Sequence, residues 1–164
     1  GRYEEAESTA TRMLLAHPDY MNLLITKMRC RVALGDGRRA KELIDAFEEP
    51  ATARPRGIGA EEWQNIIGGF EQAKAEFYGL QGKISDSIKC FRKAIAIFSK
   101  DYDAEYNEME ARYRLVRSLF EWARSDKDLM AEAKAENQAL IEKYPFFGSE
   151  NEEIKKHLAT EKKG

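Results

Sequence analysis

Apolar residues recur at steps of three and four along almost the whole chain, which is the spacing of one face of an α-helix. Two clear runs are Met21, Leu24, Ile25, Met28, Val32 and Ile84, Ile88, Phe91, Ile95, Phe98. No run alternates strictly between apolar and polar residues, so strand signals are nearly absent. The pattern predicts an all-α protein with helices over residues 2–16, 21–34, 37–48, 60–81, 83–100, 104–125, 127–144 and 149–159.

Prolines and glycines mark the predicted ends of these helices. Pro18 follows the first helix and Pro145 the seventh, and a proline just past a helix end is a common stop. Glycine turns at 35–37 and 82–83 separate the helices on either side of them. Residues 50–59 hold two prolines and two glycines in ten positions, so they predict a loop, which we interpret as a hinge or a binding loop.

Gly68 and Gly69 lie in the middle of the predicted fourth helix. Each glycine in a helix interior costs about 1 kcal/mol relative to alanine, so the pair needs a reason. The simpler interpretation is a kink, or a place where a neighbouring helix packs closely. The alternative is a place where a ligand peptide comes near the backbone.

Three stretches of the chain share one register. A glycine is followed five positions later by a small residue, in the pairs Gly1–Ala6, Gly35–Ala40 and Gly82–Ser87. Seven positions after the small residue comes an apolar one: Met13, Phe47 and Ala94. A small residue there lets two antiparallel helices approach closely, and repeats of such pairs indicate a stacked architecture.

This recurrence resembles the tetratricopeptide repeat. Residues 1–20 resemble the second helix of one repeat, 21–47 the next repeat, 70–98 another, and 114–145 a degenerate fourth with Asp128 in place of glycine and Ala133 as the small residue. The resemblance implies antiparallel helix pairs stacked as a right-handed superhelix, an α-solenoid. We expect a single domain over residues 1–164, and a piece of a longer array, because the chain begins inside a repeat.

The resemblance has departures. Leu24 and Glu71 stand where the family carries its signature tryptophan. The spacing from Gly35 to Gly82, and from Gly82 to Asp128, is longer than the family's repeat of about 34 residues. The sequence therefore resembles a divergent relative with longer helices.

In this family the first helix of each pair lines a concave face that binds an extended peptide or a helix of a partner. The resemblance implies that this face carries Asn22, Ile25, Arg29, Gln72, Glu76, Leu115, Ser118 and Trp122. The alternative is that these are ordinary solvated residues. Ile25 and Arg29 stand where the family's carboxylate clamp needs a lysine and an asparagine, so that clamp is not expected. The predicted function is a protein–protein interaction scaffold, with self-association left open.

A local basic cluster comprises Arg29, Arg31, Arg38, Arg39 and Lys41, with Arg54 and Arg56 in the following loop. As a site it would take phosphate or an acidic peptide. The alternative function is then a regulatory helical domain that senses nucleic acid or a small-molecule signal. The simpler interpretation is a solvated face paired with Glu42, Glu48 and Glu49. No aromatic residues are interleaved with the arginines, and the net charge is only -2, so nucleic acid is not expected.

Candidate catalytic chemistry is sparse. The two histidines, His17 and His157, and the two cysteines, Cys30 and Cys90, form no spaced motif, and both thiols fall where small packing residues are expected. No phosphate-binding glycine loop or metal-ligand spacing is present, so the sequence predicts no enzyme, metal or cofactor. Isolated thiols favour a reducing compartment such as the cytoplasm. No apolar run approaches the roughly 18 residues that a membrane span needs.

Overall fold

The computed structural model describes residues 1–17, 20–100 and 104–145. These residues contain α-helices and short 3-10 turns and no strand, so the all-α prediction is confirmed. The helices are α1 Arg2–Ala16, α2 Met21–Ala33, α3 Gly37–Glu48, α4 Ala60–Leu80, α5 Ile84–Phe98, α6 Glu105–Trp122 and α7 Lys127–Lys143. Pro18, the predicted helix over 149–159 and the tail after it lie outside the described residues.

The helix boundaries follow from local capping. Asp36 accepts a hydrogen bond from the Arg39 amide at 3.2 Å and so caps α3. Asp126 caps α7 in the same way, because its Oδ1 accepts from two amides of the first turn at 2.9 and 3.1 Å. Gly35 and Gly82 have φ of +73° and +70°, a conformation that glycine adopts without strain. α6 ends three residues before its predicted end, because Ala123–Ser125 tighten into a 3-10 turn.

The chain divides into two compact units after residue 105, and each is described separately. In the first unit α2 packs against α1, α3 and α4, and α4 packs against α5. The main core of this unit comes from α2, α3 and α4: Ile25, Met28, Ala40, Ile44, Phe47, Trp63, Ile66, Phe70, Ala73 and Phe77. The rings of Phe47 and Phe70 lie 4.6 Å apart, a separation at which tilted aromatic rings attract each other.

α4 and α5 approach each other very closely. A Cβ added to Gly68 would lie 2.4 Å from a ring carbon of Phe98, whereas one added to Gly69 would lie 3.7 Å from Ile25. α4 runs through both glycines without a break, and Gly68 is a point of close packing against Phe98 of α5. Further along the same interface, Ser87 is fully buried and its hydroxyl donates to the carbonyl of Ala75 at 2.6 Å.

In the second unit, α6 and α7 bury a small apolar set and one carboxylate. The buried apolar residues include Ala111, Val116, Leu119, Ala133 and Leu140. Glu108 is 3% exposed and accepts hydrogen bonds from Arg112 at 2.8 Å and from Lys143 at 2.6 Å. Lys143 belongs to the last turn of α7, so the ion pair between Lys143 and Glu108 joins α7 to α6.

Candidate functional site

An open groove of about 1160 Å³ lies at one end of the first unit. Its walls are the last turn of α1, the first turns of α2 and α4, the end of α3 and the loop before α4. Most side chains that line it are apolar, among them Met13, Tyr20, Met21, Leu24, Ile58 and Ile66. A concave surface of this size and composition is typical of a binding site.

Two large apolar side chains of the groove face solvent. Met13 is 44% exposed and Tyr20 is 52% exposed. Exposed apolar patches rimmed by polar residues mark interaction sites in soluble proteins. A methionine suits such a surface, because its unbranched side chain can adapt to the shape of a partner. These two residues therefore give the groove a surface that a ligand can cover.

The loop at residues 53–59 forms one wall of the groove and is anchored near both ends. Ala51, in the Pro50–Thr52 turn before it, and Ile58 pack against the core of the first unit. Between them, Pro55, Arg56 and Gly57 line the groove, and Gly57 has a φ of +91°. The composition of the loop predicted an irregular segment that is a hinge or a binding loop. The anchoring at Ala51 and Ile58 favours a binding loop over a hinge.

Four polar side chains stand on the rim of the groove: His17, Asn22, Arg56 and Glu62. Glu62 lies in the first turn of α4, where a negative charge is stabilised by the helix dipole. Arg56 is exposed and forms no ion pair with any residue that the structure describes. Arg56 is therefore a cation on the rim without an ion-pair partner among the described residues.

Of the eight residues predicted for a concave face, only Asn22 lines this groove. Ile25, Gln72 and Leu115 are buried, so they offer no surface in this structure. Arg29 on α2 and Glu76 on α4 form an ion pair at 3.5 Å. Ser118 and Trp122 are half-buried in the second unit. The assignment of a partner-binding face to these eight residues stays a prediction.

The basic cluster is lined with carboxylates. Arg31 is half-buried and donates to Glu7 at 2.6 Å and to Asp36 at 3.2 Å, which ties α1 to the turn before α3. Three further cations also have partners: Arg38 with Glu42 at 3.6 Å, Arg39 with the half-buried Asp36 at 3.7 Å and Lys41 with Asp45 at 2.5 Å. Of the predicted partners, Glu48 instead pairs with Lys74 of α4 at 2.5 Å. This geometry favours a solvated, paired face.

Both thiols have a raised pKa. Burial, together with the nearby carboxylate of Glu71, raises the pKa of Cys90 to about 11. Burial also raises the pKa of Cys30. A thiol reacts as its thiolate, so both groups are poor nucleophiles at neutral pH. Among the residues that the structure describes, no three His, Cys, Asp or Glu side chains are grouped so that they could hold a metal ion.

We expect Cys90 to resist alkylation in the folded protein. With a pKa of about 11, its thiolate fraction at pH 8 is about 100-fold below that of an ordinary cysteine. Iodoacetamide labelling followed by peptide mass mapping measures Cys30 and Cys90 separately. In urea both should react at the ordinary rate, and rapid labelling of folded Cys90 would contradict the burial described above.

No protein-family model, curated protein or solved structure matches this chain. In the described part of the chain, no helix combines the length and the apolar character needed to cross a bilayer. The groove is therefore the feature of the described chain that best indicates a function.

Proposed function

We propose that this chain is a protein-binding module and that the groove is its main binding surface. The observation that carries the proposal is the open apolar groove of about 1160 Å³ with Met13 and Tyr20 exposed in it. Its volume is slightly above the range of about 300–1,000 Å³ that is typical of small-molecule sites. An open cleft of that size suits a protein segment, which reaches it from the side and continues beyond it.

The helix packing supports a repeat of the tetratricopeptide kind. α1 packs on α2, α2 packs on both α3 and α4, and α4 packs on α5, which is the contact order of stacked helix pairs. Two of the three small residues of the repeated register, Ala40 and Ser87, are fully buried, and Ala6 is half-buried. The right-handed superhelix and the assignment of the chain to this repeat family are part of the proposal.

The chemistry of the described side chains also supports binding over catalysis. The two thiols have raised pKa values, and each cation of Arg31, Arg38, Arg39 and Lys41 lies beside a carboxylate. No specific observation therefore favours the alternative of a regulatory domain that uses the basic cluster.

A photo-crosslinking experiment tests the proposed function. Benzoylphenylalanine replaces Tyr20 in the groove or, as a control, Tyr3 on α1, which is 56% exposed and does not line the groove. In an extract of the source cells, the probe at position 20 should capture a discrete protein, and excess unmodified chain should compete with it. No capture at position 20, or the same capture at position 3, would reject the groove as the binding surface.

A further inference from the structure

We infer that the groove takes a protein segment in which apolar side chains lie next to an acidic one. The inference rests on the proposed function and narrows it, because it states the chemistry of the partner segment. Two features of the groove carry it: an apolar floor with exposed side chains, and an arginine on the rim that lacks a carboxylate partner in the described chain.

The apolar part of the ligand follows from the lining. Met13 comes from α1, Tyr20 from the position just before α2, and Leu24 from α2. Ile58 comes from the loop and Ile66 from α4, so apolar side chains from several elements line the groove. A segment with several apolar side chains on one side would remove these walls from water. That burial is the usual source of affinity in such clefts.

The acidic part follows from the charges on the rim. The first turn of α2 carries no acidic residue. The carboxylate of Glu62 is already stabilised by the dipole of its own helix, because it lies at the start of α4. Arg56 lines the groove and is exposed, and a guanidinium group can bind a carboxylate through two parallel hydrogen bonds. A ligand carboxylate beside the apolar side chains complements this rim, whereas a lysine there would be repelled.

The backbone on either side of Arg56 is restrained. Pro55 before it has a restricted φ, Gly57 after it takes a φ of +91°, and Ile58 is packed on the core. The amide of Ile58 also donates to the carbonyl of Pro55 at 3.4 Å, which closes the turn around Arg56. A residue on a restrained backbone loses less backbone freedom on binding than one on a free arm, so this arginine is suited to recognition.

Fluorescence anisotropy with synthetic peptides tests the inference on the full chain. The first probe is an amphipathic helical peptide with leucines at helical spacing and glutamates between them. The second carries lysine in place of each glutamate, and the third carries serine in place of each leucine. We expect the glutamate peptide to bind about tenfold more tightly than the lysine peptide. The serine peptide should not bind.

Two pairs of variants locate the binding. Arg56→Glu should reverse the preference between the glutamate and lysine peptides, while Arg54→Glu, an exposed control outside the groove, should leave it unchanged. Met13→Glu should weaken the glutamate peptide about tenfold. Its control is Leu15→Glu on the same helix, 84% exposed and outside the groove. All four positions are exposed, and circular dichroism checks that each variant is folded.

The outcomes separate this inference from the proposed function. Equal binding of the glutamate and lysine peptides, unchanged by Arg56→Glu but lost in Met13→Glu, would overturn the acidic ligand and keep the groove. Failure of every peptide while the probe at position 20 captures a protein would overturn the inference alone. Failure of the peptides together with absence of capture would overturn both.

Discussion

Gly68→Ala should lower the free energy of unfolding by about 2 kcal/mol, whereas Gly69→Ala should raise it by up to about 1 kcal/mol. Three ring carbons of Phe98 lie within 2.4–2.9 Å of the position that a Cβ on Gly68 would take. Phe98 is buried, so its ring cannot swing into solvent. At Gly69 the same methyl group finds ordinary contact with Ile25 at 3.7 Å and keeps the gain in helix propensity. Urea titration followed by circular dichroism measures both variants.

A double variant identifies the cause of the loss of stability in Gly68→Ala. Phe98→Leu removes the ring from the contact and carries its own cost as a core substitution. If the clash with the ring is responsible, Gly68→Ala should cost clearly less in the Phe98→Leu background than in the parent chain, because two residues in contact are coupled. Equal stability of the Gly68→Ala and Gly69→Ala variants would mean that the helices are farther apart than described.

The pair Gly68 and Gly69 shows what sequence patterns cannot predict. Helical periodicity and turn residues predicted the all-α class and placed helix ends close to those observed, because these depend on neighbours a few positions away. The choice between Gly68 and Gly69 depends on Phe98, about thirty positions later in another helix. A pattern can show that a glycine pair needs an explanation, but only the packed structure shows which glycine is the contact.

The groove was not predicted for a similar reason. Periodicity counts Met13 as part of an apolar face, yet its exposure depends on which helices surround α1. The signal that the sequence did offer was the loop at 50–59, whose prolines and glycines predicted an irregular segment beside the helices. The predicted concave residues followed the register of a family, and a register does not reveal that Ile25 and Gln72 are buried between packed helices.

Glu108 is a second residue whose role the sequence concealed. In the sequence it is one of several charged residues on α6, while in the structure it is buried and bonded to Arg112 and to Lys143. Lys143 lies 35 positions later, on another helix. Burial alone would raise the pKa of Glu108, but the hydrogen bonds from Lys143 and Arg112 outweigh it and hold the pKa below its ordinary value of 4.5.

We expect Glu108→Gln to lower the free energy of unfolding by about 2 kcal/mol at pH 7. The amide cannot neutralise the two cations, and both remain close to it. The loss stays below that of a fully buried pair, because Arg112 and Lys143 are partly exposed and water can reach them. Fluorescence of Trp122 reports the second unit when all variants are made in a Trp63→Phe background, since the chain has two tryptophans.

The pH dependence gives this prediction its sign. Because the folded pKa of Glu108 lies below 4.5, its stabilisation is present above about pH 4.5 and is lost as the pH falls through the folded value. The difference in unfolding free energy between the parent and Glu108→Gln should therefore be constant from neutral pH to about pH 5 and close in stronger acid.

Glu110→Gln is the matched control. Glu110 pairs with Arg114 at 2.6 Å on the same helix, but both side chains are more exposed than that of Glu108. Its loss should stay below about 0.5 kcal/mol. Equal losses at positions 108 and 110, or a gap that persists in acid, would show that the buried carboxylate is not what joins α6 to α7.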